Sequence, residues 1–595
     1  MQIHYRLTPS DLAAHLFTVN LQLPANPAGY TLRLPAWIPG SYMIREFARH
    51  IITLSAGNAT GPLASPKLDK HTWQIAPSNT PITVTYTIYA WDLSVRAAHL
   101  DESHGFFNGS SVFLQVVGHE QAVHQVTLCP PEKQTNWRVA TTLPRPPSRG
   151  KTDGAKKWGF GLYQANSYDE LIDHPVEMGT FTLAEFKAHG VPHAVAITGQ
   201  HDCDTQRLCA DLKKICEAQI AFFAPKPDPK HKQVAPQAPF KEYLFLVMAV
   251  GNGYGGLEHR SSTALLCNRS DLPYAGQSKT PNDDYVGFLG LCSHEYFHSW
   301  NVKRIQPAAF QPYELTQENY TRLLWLFEGF TSYYDDLFLL RSGLITPSQY
   351  LKLLTKTINQ VLRGSGRHKQ SVADSSFDTW IKYYRQEENA PNAIVSYYTK
   401  GALVALTLDL TLRQQSGGKH SLGSVMRALW AQHGAPGQGL AEDGLPKLIE
   451  QVTGLKLGRP LRTWTESTAD LPLPKLLKAV GVAWEAESTR QPSLSARTTE
   501  ENGLVKLTQV LEGGAAHQAG LSAGDVLVAL DGLKASASNL EHTLRRRKLG
   551  EVVDVLAFRR DELRRFSLTL TADITESVQL KVMDEESLAE WLNDL

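Results

Sequence analysis

Short runs in which apolar and hydroxyl side chains alternate are frequent in the first part of the chain. The clearest runs from Ile82 to Tyr89, where threonines separate isoleucine, valine and tyrosine. A period of two places the apolar set on one face of a β-strand. Because turn residues separate such runs, we expect an antiparallel β-sandwich over residues 1–170.

The pattern changes in the middle of the chain. Tyr243 to Val250 is a continuous apolar run, which is typical of a buried strand. From about residue 285 to residue 465 the spacing becomes helical, and Leu403, Leu406 and Leu410 fall on one helical face. Residues 171–475 are therefore predicted to form one domain that combines a small sheet with a helical lobe.

The last part of the chain has its own signature. Gly503 to Leu507 is predicted to be a strand, Ala515 to Leu521 a short helix, and Gly524 to Gly532 a strand with a turn. This order resembles a bacterial PDZ domain, which we place at residues 476–572 with a tail at 573–595. The resemblance implies peptide binding by strand addition, with a purely structural role as the alternative.

Composition excludes several classes of function. The 595 residues include 59 Lys plus Arg and 59 Asp plus Glu, so the formal net charge is zero and no basic patch indicates a nucleic-acid partner. The first residues lack a signal-peptide pattern, and no apolar run is long enough to span a membrane. The six cysteines are sparse, which favours a cytoplasmic protein with reduced thiols.

The most specific chemical pattern is His294-Glu295-Tyr296-Phe297-His298. On a helix, residues four apart share one face, so both imidazoles can reach one Zn²⁺ ion while Glu295 lies beside a water bound to that ion. The pattern indicates a zinc peptidase, although five residues this loosely defined also occur by chance.

Glu328 is an acid in an aromatic-rich segment, predicted to be helical, that runs from Trp325 to Tyr334. A carboxylate among apolar neighbours needs a partner, because burying it unpaired costs several kcal/mol. A metal ion is one such partner, and a salt bridge at the edge of a helix is the alternative. With Glu328 as third ligand, the fourth position of a zinc site stays open for water, as in catalytic sites.

Two more segments add candidate residues. Gly255-Gly256-Leu257-Glu258 follows the apolar strand, and glycines at a strand edge let an extended peptide lie alongside and place its α-amine near Glu258. A glycine turn followed by a solvated acid is the alternative. Tyr397-Tyr398-Thr399-Lys400-Gly401 offers a phenol that can donate to an oxyanion, or else tyrosines that only pack.

Together these motifs resemble the M61 family of zinc aminopeptidases, the glycyl aminopeptidase group of the gluzincins. The motif at Leu34 to Tyr42, which reads LPAWIPGSY, is similar to the β domain of that family. The resemblance covers nearly the whole chain, and it implies a thermolysin-like zinc peptidase domain between the β-sandwich and the PDZ-like domain.

The resemblance also implies the role of each residue. His294, His298 and Glu328 would bind one catalytic Zn²⁺, and Glu295 would be the general base for a metal-activated water. Glu258 would anchor the α-amine beside the groove at Gly255 and Gly256, and Tyr398, rather than Tyr397, would stabilise the oxyanion. The expected substrates are peptides with a free N-terminal residue, preferably glycine or alanine.

Two other functions fit parts of the same pattern. A zinc endopeptidase of thermolysin type would share the metal site but would not need Glu258. A non-catalytic scaffold would rely on the PDZ-like module alone. The sequence leaves the physiological substrate and the oligomeric state open.

Overall fold

The computed structural model describes residues 2–146, 154–224, 235–487 and 491–592. These residues form two compact units. The first comprises Met1–Tyr320, Tyr334–Ile345 and Met426–Ala441, and the second comprises Thr321–Tyr333, Thr346–Val425 and Glu442–Leu595. The last three residues of the predicted tail lie outside the described residues.

The N-terminal part of the first unit is built from strands. They are β1 Gln2–Asp11, β2 Leu16–Leu23, β3 Tyr30–Arg33, β4 Ile51–Asn58, β5 Gly61–Leu63, β6 Thr72–Ile75, β7 Ile82–Tyr89, β8 Ala98–Leu100, β9 His104–Phe107, β10 Gln115–Val116, β11 Val123–Leu128, β12 Arg138–Ala140, β13 Gly161–Ala165 and β14 Val176–Gly179. Two short helices, α1 Gly109–Val112 and α2 Tyr168–Ile172, interrupt them.

These strands form three sheets. The spatial orders are β13-β11-β1-β2-β7-β4-β5, β10-β3-β6 and β12-β14-β9-β8. The alternation from Ile82 to Tyr89 is confirmed as β7, whose isoleucine, valine and Tyr86 side chains are buried. The sheets are not wholly antiparallel as expected, because β1 pairs with β11 in parallel. Parallel neighbours need a long crossover, and the hundred or so residues between these two strands supply it.

A fourth sheet in the first unit carries Gly255, Gly256 and Glu258. Its strands are β15 Thr182–Ala188, β16 Val191–Thr198, β17 Tyr243–Val250, β18 Gly255–Glu258 and β19 Ser262–Asn268. The order is β15-β16-β17-β19-β18, so β18 is an edge strand. The buried strand predicted at Tyr243 to Val250 is confirmed as β17, at the centre of the sheet.

Helices make up most of the chain from residue 283 to residue 479, as the helical spacing predicted. They are α4 Asp283–Phe297, α5 Leu324–Arg341, α6 Pro347–Leu362, α7 Val372–Phe377, α8 Ala390–Ala393, α9 Thr399–Ser416, α10 Leu422–Leu429, α11 Gly444–Thr453, α12 Gly458–Glu466 and α13 Leu473–Ala479, and an earlier helix, α3 Thr205–Phe222, lies between β16 and β17. The leucine stripe on α9 is buried, so its interpretation as core is confirmed.

The C-terminal part of the second unit is a β-sheet domain. Its elements are β20 Val482–Glu487, β21 Pro492–Ser493, β22 Ala496–Glu501, β23 Leu504–Val510, α14 Ala515–Gln518, β24 Val526–Leu530, β25 Leu533–Lys534, α15 Ala537–Arg545, β26 Val552–Arg559, β27 Glu562–Thr569, β28 Thr571–Ala572, β29 Ser577–Val582 and α16 Glu585–Leu592. The strand, helix and strand predicted between residues 503 and 532 are present as β23, α14 and β24. Leucine, valine and alanine side chains from both sheet and helices form its core.

Two glycines let helices α5 and α9 approach closely within the second unit. A Cβ atom added to Gly329 would lie 2.5 Å from the Cα of Gly401. A Cβ atom on Gly401 would lie 2.7 Å from the carbonyl oxygen of Trp325. Since these neighbours are backbone atoms, no side-chain rotation can relieve the overlap. The glycines therefore fix how the helix that carries Glu328 packs on the helix that begins after Tyr398.

We predict that Gly401→Ala destabilises the protein by about 1–3 kcal/mol, because the added methyl group forces the two helices apart. The measurement is the midpoint of urea unfolding, followed by circular dichroism. The matched control is Gly287→Ala in α4, where an added Cβ has open space. That change should leave the midpoint unchanged or raise it, because alanine favours helix over glycine by about 1 kcal/mol. A midpoint for Gly401→Ala equal to that of the parent protein would contradict this account of the packing.

Candidate metal centre and active site

His294 and His298 face one another at the end of a buried helix. Helix α4 begins after Asn282, whose side chain accepts a hydrogen bond from the backbone N–H of Tyr285 at 3.0 Å. His298 is the C-cap residue, still in helical conformation. The prediction that both imidazoles share one face is confirmed, because their Nε2 atoms lie 3.1 Å apart.

This spacing fits two ligands of one ion. Two nitrogens bound to tetrahedral zinc at about 2.05 Å lie about 3.3 Å from each other. The rings are nearly perpendicular, at 85°, with their centroids 4.7 Å apart, so they converge on one point and do not stack. The histidine pair therefore fits a zinc ion.

Each histidine is oriented through its other ring nitrogen. His294 Nδ1 donates to Asp335 Oδ2 at 2.9 Å, and His298 Nδ1 donates to the carbonyl oxygen of Asn301 at 2.7 Å. Such bonds fix the tautomer in which the lone pair on Nε2 can bind a metal. Sequence reasoning missed both partners. The spacing of Asp335 could have indicated it, because Asp335 follows Glu328 by two helical turns on α5 and so lies on the same face of that helix.

Glu295 is buried next to the edge strand β18. Its side chain is only 5% exposed. A Cβ atom on Gly256 would lie 2.0 Å from Glu295 Oε1, so a side chain at this position would displace the carboxylate from its present place. Glu258, Glu295 and His298 each offer a ligand atom within 4.8 Å of the others, which brings three of the predicted site residues together.

Glu258 ends β18 and meets the N-terminal β-sheets. A Cβ atom on Gly40 would lie 2.5 Å from Glu258 Oε1, and Gly40 has a φ of +94°. Both facts require glycine at position 40. On the same strand, the carbonyl oxygen of Gly256 accepts a hydrogen bond from Arg96 Nη2 at 3.4 Å. The LPAWIPGSY motif thus contributes to the surroundings of Glu258, a role that the sequence did not indicate.

A buried ion network holds the turn that follows Glu258. Lys303 Nζ lies 2.7 Å from Asp173 Oδ1, and Arg260 donates its backbone N–H to Asp173 Oδ2 at 3.0 Å. Burial raises the pKa of Asp173, but the charges of Lys303 and Arg260 outweigh burial and hold that pKa well below its usual value. His259 Nδ1 lies 3.4 Å from the same carboxylate. Since Lys303 closely follows His298 in sequence, the network ties the histidine segment to the turn after Glu258.

Glu328 lies on the first half of α5 and is 2% exposed. Within the second unit it is close to two phenols. Burial, followed by the charges of Tyr384 and Glu328, raises the pKa of Tyr397, and burial together with the charge of Glu328 raises the pKa of Tyr383. The carboxylate therefore lies in a buried, tyrosine-rich environment.

The structure distinguishes the two adjacent tyrosines. Tyr397 is fully buried, and its hydroxyl group lies 2.9 Å from Thr379 Oγ1. Tyr398 is half-buried at the start of α9, and its hydroxyl group lies 3.4 Å from that of Tyr384, another half-buried residue. Of the pair, Tyr398 has the more accessible phenol.

Cys292 is a buried packing residue, as predicted, and burial raises the pKa of its thiol well above the usual value. No two of the six cysteines form a disulfide. Among the described residues, no helix is both long and apolar enough to cross a membrane.

Comparison with known proteins relates this geometry to a family. Residues 4–180 match the family model described as the peptidase M61 N-terminal domain, and residues 287–404 match the model described as M61 glycyl aminopeptidase. A search of curated proteins gives no match.

Among solved structures, the chain is similar to an aminopeptidase N family protein from Idiomarina loihiensis. The two are 42% identical, the match covers 100% of both chains, and the TM-score is 0.94. An M1 zinc metallopeptidase from Deinococcus radiodurans is 14% identical over 80% of this chain and 95% of that one, with a TM-score of 0.48, which is too distant to carry an inference. From the two family models and the full-length relative, the chain belongs to the M61 glycyl aminopeptidase family of zinc-dependent metallo-aminopeptidases.

Proposed function

We propose that this protein removes the N-terminal residue from peptides, with a preference for glycine or alanine, at a single catalytic zinc ion. The observation that carries the proposal is the pair of converging Nε2 atoms on His294 and His298, 3.1 Å apart and each oriented through Nδ1. The preference for small residues rests on the family description alone.

We propose Glu328 as the third zinc ligand. In support, the segment from residue 287 to residue 404 that matches the M61 glycyl aminopeptidase model contains Glu328 as well as His294 and His298. Two histidines and one glutamate leave a fourth position for water or substrate, as in a thermolysin-like peptidase. When bound, the ion would polarise the scissile carbonyl group and lower the pKa of a water molecule towards neutrality.

The chain's own residues would carry the proton transfers. Glu295, held in the space that Gly256 leaves, would accept a proton from the attacking water and return it to the leaving amine. Tyr398 would donate a hydrogen bond to the carbonyl oxygen as negative charge develops there. The greater exposure of Tyr398 supports this role for it rather than for Tyr397.

Glu258 would bind the protonated α-amine of the substrate. Its position at the end of an edge strand supports this, because a peptide added alongside Gly255 and Gly256 would bring its N-terminus towards Glu258. The buried network around Asp173 would keep the carboxylate in place. An endopeptidase would have no use for such an anchor, so Glu258 favours the aminopeptidase over the thermolysin-type alternative.

The C-terminal β-sheet domain would be a PDZ-like peptide-binding module. A cavity of about 170 Å³ lies beside strand β22 and helix α15, lined by residues that include Leu494, Ala496 and Leu544. A strand edge next to a helix is the arrangement that accepts a peptide as an added strand. This supports peptide binding as a further property of the enzyme.

Glu295→Gln should lower kcat by about 10²–10⁴-fold while zinc stays bound, because the amide cannot accept a proton. The measurements are release of free glycine from a Gly-leading dipeptide and zinc content by mass spectrometry. Asp284→Asn, an exposed change on the same helix, should leave both unchanged. Turnover at the parental rate in Glu295→Gln would rule out Glu295 as the base.

Gly256→Ala should also reduce kcat strongly, because its methyl group would occupy the space of Glu295 Oε1. Zinc content should stay at the parental value, since the histidine pair is not touched. Gly251→Ala is the matched control, because an added Cβ there has no neighbour within 4 Å. If Gly256→Ala kept full activity, the placement of Glu295 against β18 would be wrong.

Glu258→Gln should lower kcat/KM for unblocked peptides by about 10- to 100-fold, which corresponds to a charged hydrogen bond of about 1.5–3 kcal/mol. The assay compares Gly- and Ala-leading peptides with their N-acetylated forms, with and without a zinc chelator. The parent protein should cleave only the unblocked set, and only without chelator. Glu132→Gln, an exposed change, serves as control. Cleavage of acetylated peptides by the parent would indicate an endopeptidase, and a zinc-loaded protein without turnover would indicate a scaffold.

A further inference from the structure

A second cluster of metal-ligating side chains lies in the N-terminal β-sheets and shares no residue with the peptidase site. It comprises His99, Asp101 and His104, whose ligand atoms lie within 4.8 Å of one another. His99 is on β8, His104 is on β9, and Asp101 lies in the turn that joins the two strands. The cluster therefore closes one β-hairpin.

The distance between the ligand atoms of His99 and Asp101 is close to that between the Nε2 atoms of His294 and His298. His99 Nε2 lies 3.2 Å from Asp101 Oδ2, close to the separation of about 3.3 Å expected for two ligands of one tetrahedral ion. The other oxygen, Oδ1, accepts the backbone N–H groups of Ser103 and His104 at 2.7 and 3.0 Å. These bonds hold the carboxylate so that Oδ2 is directed towards His99.

The third ligand is oriented by a buried carboxylate. His104 Nδ1 lies 3.0 Å from Glu177 Oε1, and the two side chains are 6% and 5% exposed. Glu177 is on β14, directly paired with β9. A carboxylate on one ring nitrogen fixes the tautomer and leaves the other nitrogen to bind a metal. Glu177 and His104 thus repeat the arrangement of Asp335 and His294.

The site is accessible. A cavity of about 680 Å³ is lined by His99, Asp101 and His104 together with aromatic side chains such as Trp91. The ring centroids of His99 and His104 lie 4.9 Å apart, close to the 4.7 Å between those of His294 and His298. The cavity gives an ion a path in and leaves space for water in the coordination sphere.

We propose that His99, Asp101 and His104 bind a second divalent transition-metal ion of the zinc class, with Glu177 as the residue that orients His104. The two nitrogens and one oxygen are ligands that suit zinc, and a fourth position would face the cavity. The ion would join the two strands of the β8–β9 hairpin. This inference is independent of the proposed peptidase activity.

The test is a titration of the metal-free, full-length protein with Zn²⁺ in competition with a fluorescent chelator. It counts the equivalents of Zn²⁺ that the protein binds tightly. The parent should bind two equivalents, and His99→Ala and His298→Ala should each bind one. The double variant should bind none. His189→Ala, an exposed histidine outside the cluster, should still bind two. Glu177→Gln should keep the second equivalent but bind it about 10- to 100-fold more weakly.

The outcomes separate the two sites. The second site would be overturned if the parent bound one equivalent of zinc and His298→Ala bound none. It would also be overturned if both the parent and His99→Ala bound two equivalents. One equivalent that is lost only with His99→Ala would support the second site and contradict zinc at the peptidase site. If His99→Ala fails to fold, Glu177→Gln keeps the test decisive, because an unchanged affinity for the second equivalent in that variant would contradict the site. Peptidase activity retained in His99→Ala would show that the second ion is not needed for catalysis.

Discussion

Much of the first unit is arranged around one short contact, the 3.1 Å between the Nε2 atoms of His294 and His298. Two lone pairs that converge on one point repel each other unless a proton or a cation lies between them, so this geometry must be imposed from outside. The helix supplies the spacing, and Asp335 and Asn301 supply the orientation through the other ring nitrogens. The result is a pair of imidazoles whose spacing and orientation suit one ion.

Glycines, which have no side chain, matter to this arrangement as much as the histidines do. Gly256 leaves the space in which Glu295 lies, and Gly40 leaves the space for Glu258. In the second unit, Gly329 and Gly401 allow α5 and α9 to touch through their backbones. In each case a single methyl group would collide with a buried carboxylate or with backbone atoms. The glycines in the motifs are therefore packing requirements, since the space they leave is already filled by the protein itself.

Buried and half-buried carboxylates orient other groups in several parts of the first unit. Asp335 orients His294, Glu177 orients His104, and Asp173 joins Lys303 to Arg260 beside the turn after Glu258. A buried charge is costly unless it is paired and hydrogen-bonded. Each of these acids meets that condition with a histidine or a basic residue, and each thereby fixes the position of its partner. The proposed peptidase site and the proposed second metal site thus use the same arrangement.

The sequence by itself determined the elements and the chemistry. Periodicity predicted β7, β17 and the leucine face of α9, and the spacing of His294 and His298 predicted their common face, because these features depend only on local backbone geometry. Tertiary structure decided which distant residues meet. Nothing in the local pattern places Asp335 on His294, Gly40 on Glu258, or Glu177 on His104, and nothing in it predicts that β1 pairs in parallel with β11. These contacts join residues from about 40 to more than 200 positions apart, and only the packing of sheets and helices, which no short-range spacing encodes, can bring them together.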